Sequence, residues 1–245
     1  MRIRVVINNK GVWKVGGLGI LFILIGLLCD VIIQNFGLLM LKLIAKAFNI
    51  NENTWIPILA MLLTMGGLLY ITLLYMKKYI QLAAPENKLE PFRRQKTLWI
   101  IKGYVLIIVA GMLVTIVKIL ITGNNVEPAN QLALVEMAHA GLATKIYLIF
   151  LSVILAPLLE ESIFRGILMN YFMKNSYWWA NVVVSGMAFG LFHVIFQPFQ
   201  LMAFIQYSLT GIILAFVYKK TQKLQYSMAT HCLNNLVAML ILLFQ

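Results

Sequence analysis

Residues 146–173 read IYLIFLSVILAPLLEESIFRGILMNYFM, an apolar stretch long enough to cross a bilayer that carries Glu160, Glu161 and Arg165 near its middle. A helix needs about 20 residues to span the hydrocarbon core, and a charge at that depth costs about 2.5–3.5 kcal/mol on insertion scales. Three charges inside a membrane-length segment therefore predict a helix buried in a bundle, facing a wet cavity, rather than one bathed in lipid. The competing reading puts both glutamates in a connection after a shorter helix. Against it, helical apolar periodicity resumes through Ile167 to Phe172.

The rest of the chain agrees with a membrane reading. Of 245 residues, 62% are hydrophobic and only 11% charged, with a mean hydropathy of +0.88, far outside the soluble range. Hydropathy predicts an all-α polytopic transmembrane bundle of about seven spans, near 15–40, 56–76, 98–121, 146–173, 177–197, 201–218 and 225–245, with eight as the alternative. Residues 1–144 read as an N-terminal scaffold or substrate gate of about three spans and a basic loop, and residues 145–245 as a core of about four. The first apolar stretch is long and has no small-residue cleavage site, so it is read as an anchor that stays in place.

A net charge of +12 would suggest a nucleic-acid partner in a soluble protein, but here the basic residues cluster between apolar runs, where they set topology. Arg2, Arg4, Lys10 and Lys14 precede the first span; Lys77, Lys78, Lys88, Arg93, Arg94, Lys96 and Lys102 surround the second connection; Lys174 marks the fourth and Lys219, Lys220 and Lys223 the sixth. The connections 49–55, 123–139 and 196–200 carry no Lys or Arg. The expectation is a multi-pass cell-membrane protein with its N-terminus cytoplasmic, partnered by the lipid bilayer and not by nucleic acid. Cys29 and Cys232 sit within apolar spans, outside any CxxC pair, and read as packing residues.

Of eight acidic residues, only Asp30, Glu160 and Glu161 fall inside predicted spans. Glu161 and Arg165 are four apart with the acid first, the favoured order for a helical ion pair, which leaves Glu160 pointing about 100° away. A free carboxylate at a wet cavity is placed for general-base work. Two further polar sites lie at membrane depth: His193, late in the fifth span, and His231 with Asn235 on one face of the seventh. A lone histidine is more often a satisfied core residue than a catalyst, so the argument rests on the three sites meeting.

Their depths can be compared along ideal helices. Glu160 lies about 15 residues before the turn at Asn175 and His193 about 18 after it, which puts them within about 5 Å of one level. His231 is only about 10 residues past the turn at Thr221, so upright helices would leave it about 12 Å shallower than His193. Gly186, Gly190 and Pro198 offer places for the fifth span to bend or pack closely. Asp30, with Gln34 and Asn35 a turn later, has no role on this reading.

Glu160-Glu161 with Arg165, Phe189 with His193, and His231 with Asn235 resemble the three motifs of the CPBP family of intramembrane proteases, over about residues 145–245. That family includes the type II CAAX prenyl endopeptidases and bacterial relatives that resemble bacteriocin self-immunity proteins. The resemblance implies an endopeptidase acting on a membrane-associated peptide or protein, prenylated or not. It implies that Glu160 activates water, His193 assists proton transfer, His231 and Asn235 stabilise the oxyanion, and Glu161 and Arg165 orient the site. Glu160, His193 and His231 could instead form a His2Glu zinc site with an open position. Asn235 is a poor zinc ligand but a good oxyanion donor, and the HExxH spacing is absent, so a metal-free mechanism is expected. Two other readings stand beside it: a non-catalytic immunity or regulatory protein that binds a bacteriocin receptor or a sensor protein, and a proton-coupled transporter, for which inverted repeats are missing.

Overall fold

In lipid the backbone has only itself for a hydrogen-bond partner, and the long Leu, Ile, Val and Met runs accordingly form helices. The structure, a computed structural model, describes residues 9–88, 90–123, 129–172, 179–196 and 198–244. These fold into α1 (Asn9–Phe48), α2 (Trp55–Ala83), α3 (Arg94–Thr122), α4 (Ala129–His139), α5 (Leu142–Tyr171), α6 (Ala180–Val194), α7 (Leu201–Thr221) and α8 (Leu224–Leu243). Six of them, α1, α2, α3, α5, α7 and α8, are long and apolar enough to cross a membrane. The fold is a polytopic helical bundle. Its outer faces stay apolar and uncovered, with Leu63 68% and Leu120 79% exposed, as a lipid-facing surface requires.

Two expected elements differ in the structure. The fifth predicted span is a helix of only 15 residues, α6, about 22 Å long. The predicted connection 123–139 contains an 11-residue helix, α4, built from good helix formers but about 16 Å long, too short to cross. An eighth span has no counterpart among the described residues. The turn at Asn175, together with Arg2, Arg4, Lys174 and Gln245, lies outside them.

The helix α5 occupies the middle of the bundle, packed on α1, α2, α4, α6 and α8. Its start is fixed from elsewhere in the chain: Gly141 adopts a positive φ of 133°, and Ala143 N–H donates to Asn53 Oδ1 at 3.0 Å, a cap supplied by the α1–α2 loop. Within α5 the α-helical turns give way to π-helix over Phe150–Leu155 and again over Ser162–Leu168. These wide turns bracket the glutamate pair, where π-bulges often sit at functional sites.

The hairpin α6–α7 is closely packed. A methyl group on Gly190 would come within 2.7 Å of Ser208 N and 2.9 Å of Phe204 O, and one on Gly211 within 2.8 Å of Gly186 O. Small residues thus bring the two backbones together, the packing expected of membrane helices. Gly186 and Gly190 serve close packing in a continuous helix rather than a bend.

Candidate active site

The three polar segments converge. Glu160 Oε2 lies 3.9 Å from His193 Nε2 and 4.0 Å from His231 Nε2, with the glutamate side chain 13% exposed. The level expected for Glu160 and His193 agrees with this contact. The expected 12 Å offset of His231 is closed, and the reason lies in the turn between α7 and α8. That turn does not sit level with the end of α5: Leu224 packs on Gly166 and Tyr218 Oη accepts from Asn170 Nδ2 at 2.9 Å. The start of α8 therefore stands beside Gly166–Asn170, inside the end of α5 rather than beyond it, and this brings His231 to the level of Glu160.

Bonds from the α2–α3 loop hold the turn there. Lys223 Nζ donates to Glu86 O at 2.6 Å and pairs with Glu90 Oε1 at 2.6 Å, and Leu224 N–H donates to Asn87 Oδ1 at 3.1 Å. Arg93 N–H donates to Tyr226 Oη at 2.9 Å and Lys96 Nζ to Thr221 O at 2.7 Å. Lys223 Nζ holds the Glu90 carboxyl below the usual carboxylate range, chiefly through their hydrogen bond. Both basic connections thus lie at one end of the bundle.

Behind the Glu160 contact sits a fully buried ion pair. Arg165 Nη1 is 3.0 Å from Glu161 Oε1, both side chains are 0% exposed, and Arg165 Nη2 donates to Gly211 O at 2.6 Å. The guanidinium also lies over the Phe189 ring, 4.9 Å from its centroid, an arrangement that suits its quadrupole. The i, i+4 pairing read from the sequence is present, but it ties α5 to α7 as well. Removing either partner would strand a charge in the interior, which costs about 3–5 kcal/mol.

The histidines have different second partners. His193 Nδ1 is 2.9 Å from Phe189 O, so it carries the hydrogen and leaves Nε2 as an acceptor toward Glu160. His231 Nδ1 is 3.2 Å from Glu161 Oε1, so a carboxylate rather than a carbonyl orients this ring. The Tyr207 ring stacks on His193 at 4.6 Å and 22°, and Phe189 packs at 4.4 Å from His193 and 5.6 Å from His231. Tyr207 escaped sequence reading because nothing in its local spacing on α7 marks it.

Asn235 stands one turn beyond His231 on the same wall, and its hydrogen bonds run to Ser152 and Asn234. Its Nδ2 donates to Ser152 O at 2.8 Å, and its Oδ1 accepts from Asn234 Nδ2 at 3.1 Å. The first bond has a local cause. In the π-helical stretch Ala156 N–H goes to Leu151 O, so the next donor in that register would be residue 157, which is proline and has none. Asn235 fills the gap and keeps a second N–H.

Glu160, His193, His231 and Asn235 open on one cavity of about 560 Å³. Its walls come from α1, α3, α4, α5, α6, α7 and α8, so the N-terminal region contributes too: Asp30 and Gln34 from α1, Ile107 and Gly111 from α3. Among the described residues no three His, Cys, Asp or Glu side chains are grouped as a metal site. The three polar ends of the minority zinc set do converge, at 3.9 and 4.0 Å.

Comparison with known proteins points the same way. The chain is 24% identical over 138 residues to the Bacillus subtilis (strain 168) protein named "Putative membrane peptidase YdiL". That match takes in 56% of this chain and 53% of the relative, so the chain spans about half the length of the curated relative it matches. No solved structure matches it. Residues 142–237, which hold Glu160, Glu161, Arg165, His193, His231 and Asn235, match the family described as Type II CAAX prenyl endopeptidase Rce1-like.

Proposed function

We propose that the protein is an intramembrane endopeptidase that hydrolyses a peptide bond in a membrane-associated peptide or protein by glutamate-activated water. The observation that carries this reading is the buried Glu160 Oε2, which has no hydrogen-bond partner among the described residues and faces two imidazole Nε2 atoms at 3.9 and 4.0 Å. Gaps of that size suit a bridging water rather than direct bonds.

Glu160 takes a proton from that water while His193 Nε2 orients it, and the hydroxide adds to the substrate carbonyl. His231, its ring oriented by Glu161, and the second N–H of Asn235 stand against the developing oxyanion and stabilise it. Collapse breaks the C–N bond, and the proton held by Glu160 passes to the departing amine, giving a carboxylic acid and an amine. The Glu161–Arg165 pair holds His231 in orientation from behind. Catalysis in this form needs no metal. On the basic-residue pattern the end of the bundle with Lys223 and the α2–α3 loop is cytoplasmic, as is the N-terminus.

The test is cleavage of prenylated and unprenylated membrane peptides by the purified full-length protein, with and without chelator. Glu160→Gln and His193→Ala should each lower turnover by about 10²- to 10⁴-fold while leaving membrane abundance unchanged. Undiminished function in both variants would sink the enzyme reading and favour a non-catalytic immunity or regulatory role. Activity abolished by chelator and restored by zinc would overturn the metal-free mechanism.

A further inference from the structure

Asp30 is a carboxylate in the first membrane helix that the proposed hydrolysis does not use. Close packing fixes its depth. Gly19 of α1 lies against Tyr171 and Phe172, and Gly26 against Ile163, so α1 runs antiparallel to α5 in a defined register. One turn beyond Gly26, that register brings Asp30 level with Leu159 and Glu160. Asp30 and Gln34 both line the cavity that Glu160, His193, His231 and Asn235 open on.

The charge balance of this cavity is one-sided. Two carboxylates, those of Asp30 and Glu160, are on its wall, and no lysine or arginine is among the described residues that line it. Arg165 is fully buried behind the wall, engaged by Glu161 and by Gly211 O. The partner of Asp30 is a neutral amide: Gln34 Nε2 donates to Oδ1 at 3.0 Å. A carboxylate at membrane depth is ordinarily matched by a cation, and here the protein supplies an amide and an opening.

We infer that Asp30 is a specificity-determining residue that receives a basic side chain, lysine or arginine, of the substrate close to the bond that Glu160 attacks. The inference rests on the endopeptidase reading and names its substrate class: a membrane-associated peptide with a cationic residue near the cut. The Gln34 bond holds the Asp30 carboxylate in place, leaving Oδ2 for a charge-assisted hydrogen bond from an ammonium or guanidinium group. Gln206 and Thr210 of α7, which also line the cavity, are uncharged and do not compete for that cation.

The experiment uses full-length protein in neutral phosphatidylcholine vesicles and a pooled synthetic library of membrane-inserting peptides, randomised over the residues at the polar end. Products are sequenced by mass spectrometry for wild type, Glu160→Gln, Asp30→Asn and Asp30→Glu at equal abundance. Wild type should cut peptides bearing Lys or Arg near the cleaved bond about 10- to 100-fold more efficiently than their uncharged counterparts, the worth of a hydrogen bond to a charged group. Asp30→Asn, which keeps an acceptor for Gln34, should lose that preference while still cutting uncharged peptides, and Asp30→Glu should retain it. Cuts that show no basic preference, or an unchanged preference in Asp30→Asn, overturn the inference and leave the endopeptidase standing. A wild type that releases no product beyond the Glu160→Gln background overturns both.

Discussion

Asn235 illustrates how one side chain at membrane depth is bound to two tasks. Its amide satisfies Ser152 O, the carbonyl that Pro157 leaves without a helical donor, and it stands on the cavity wall one turn from His231. Asn235→Ala should therefore lower stability by about 1–3 kcal/mol, because a half-buried carbonyl loses its partner, and should lower turnover as well. Adding Pro157→Ala returns a backbone N–H to that turn. The double variant should recover part of the unfolding temperature in detergent without recovering turnover. If turnover returns along with stability, Asn235 is a structural cap and not an oxyanion donor. The Glu161–Arg165 pair is the residue-scale feature that spacing alone revealed, since i and i+4 with the acid first is a local rule. Its bond to Gly211 is a long-range fact that no local rule contains.

Among the helices, the α6–α7 hairpin decides whether His193 can reach Glu160. The short α6 is held by backbone-to-backbone packing at Gly186, Gly190 and Gly211, and the His193 ring is clasped between Phe189 and Tyr207. Gly190→Ala should push the two helices apart and destabilise the protein by about 1–3 kcal/mol, the usual range for overpacking. Its effect on turnover should exceed what the loss of folded protein explains, since His193 would move with α6. Gly66→Ala on α2, where nothing lies within 4 Å, is the matched control and should be neutral or slightly stabilising. Equal unfolding temperatures for the two variants would show that this close approach does not matter. The two π-helical stretches of α5 belong to the same scale. Apolar periodicity marked residues 146–173 as helical, but the number of residues per turn depends on which carbonyls other helices satisfy.

Across the whole molecule, the depth of α8 depends on an interlock between the α2–α3 loop and the α7–α8 turn, with Lys223 and Glu90 at its centre. Because Lys223 lowers the Glu90 pKa in the folded state, the pair contributes stability that is present above the ordinary carboxylate pKa and is lost as pH falls through the lowered one. Unfolding temperature measured from neutral pH down to about pH 3 should show a fall that Glu90→Gln diminishes. An identical pH profile in the variant would remove Glu90 from this role. The sequence by itself determined the membrane class, the helical bundle, and which few polar residues lie at membrane depth, because length and hydropathy are one-dimensional and a buried charge is conspicuous wherever the chain folds. It also yielded the matching levels of Glu160 and His193, which depend on helical rise across one connection. Only the tertiary structure decided that His231 reaches the same point, that Asp30 of α1 shares its cavity, and that α4 forms within a connection. Each of these depends on how deeply one element is set against another, and that is fixed by close packing and by hydrogen bonds between residues as far apart as Glu90 and Lys223.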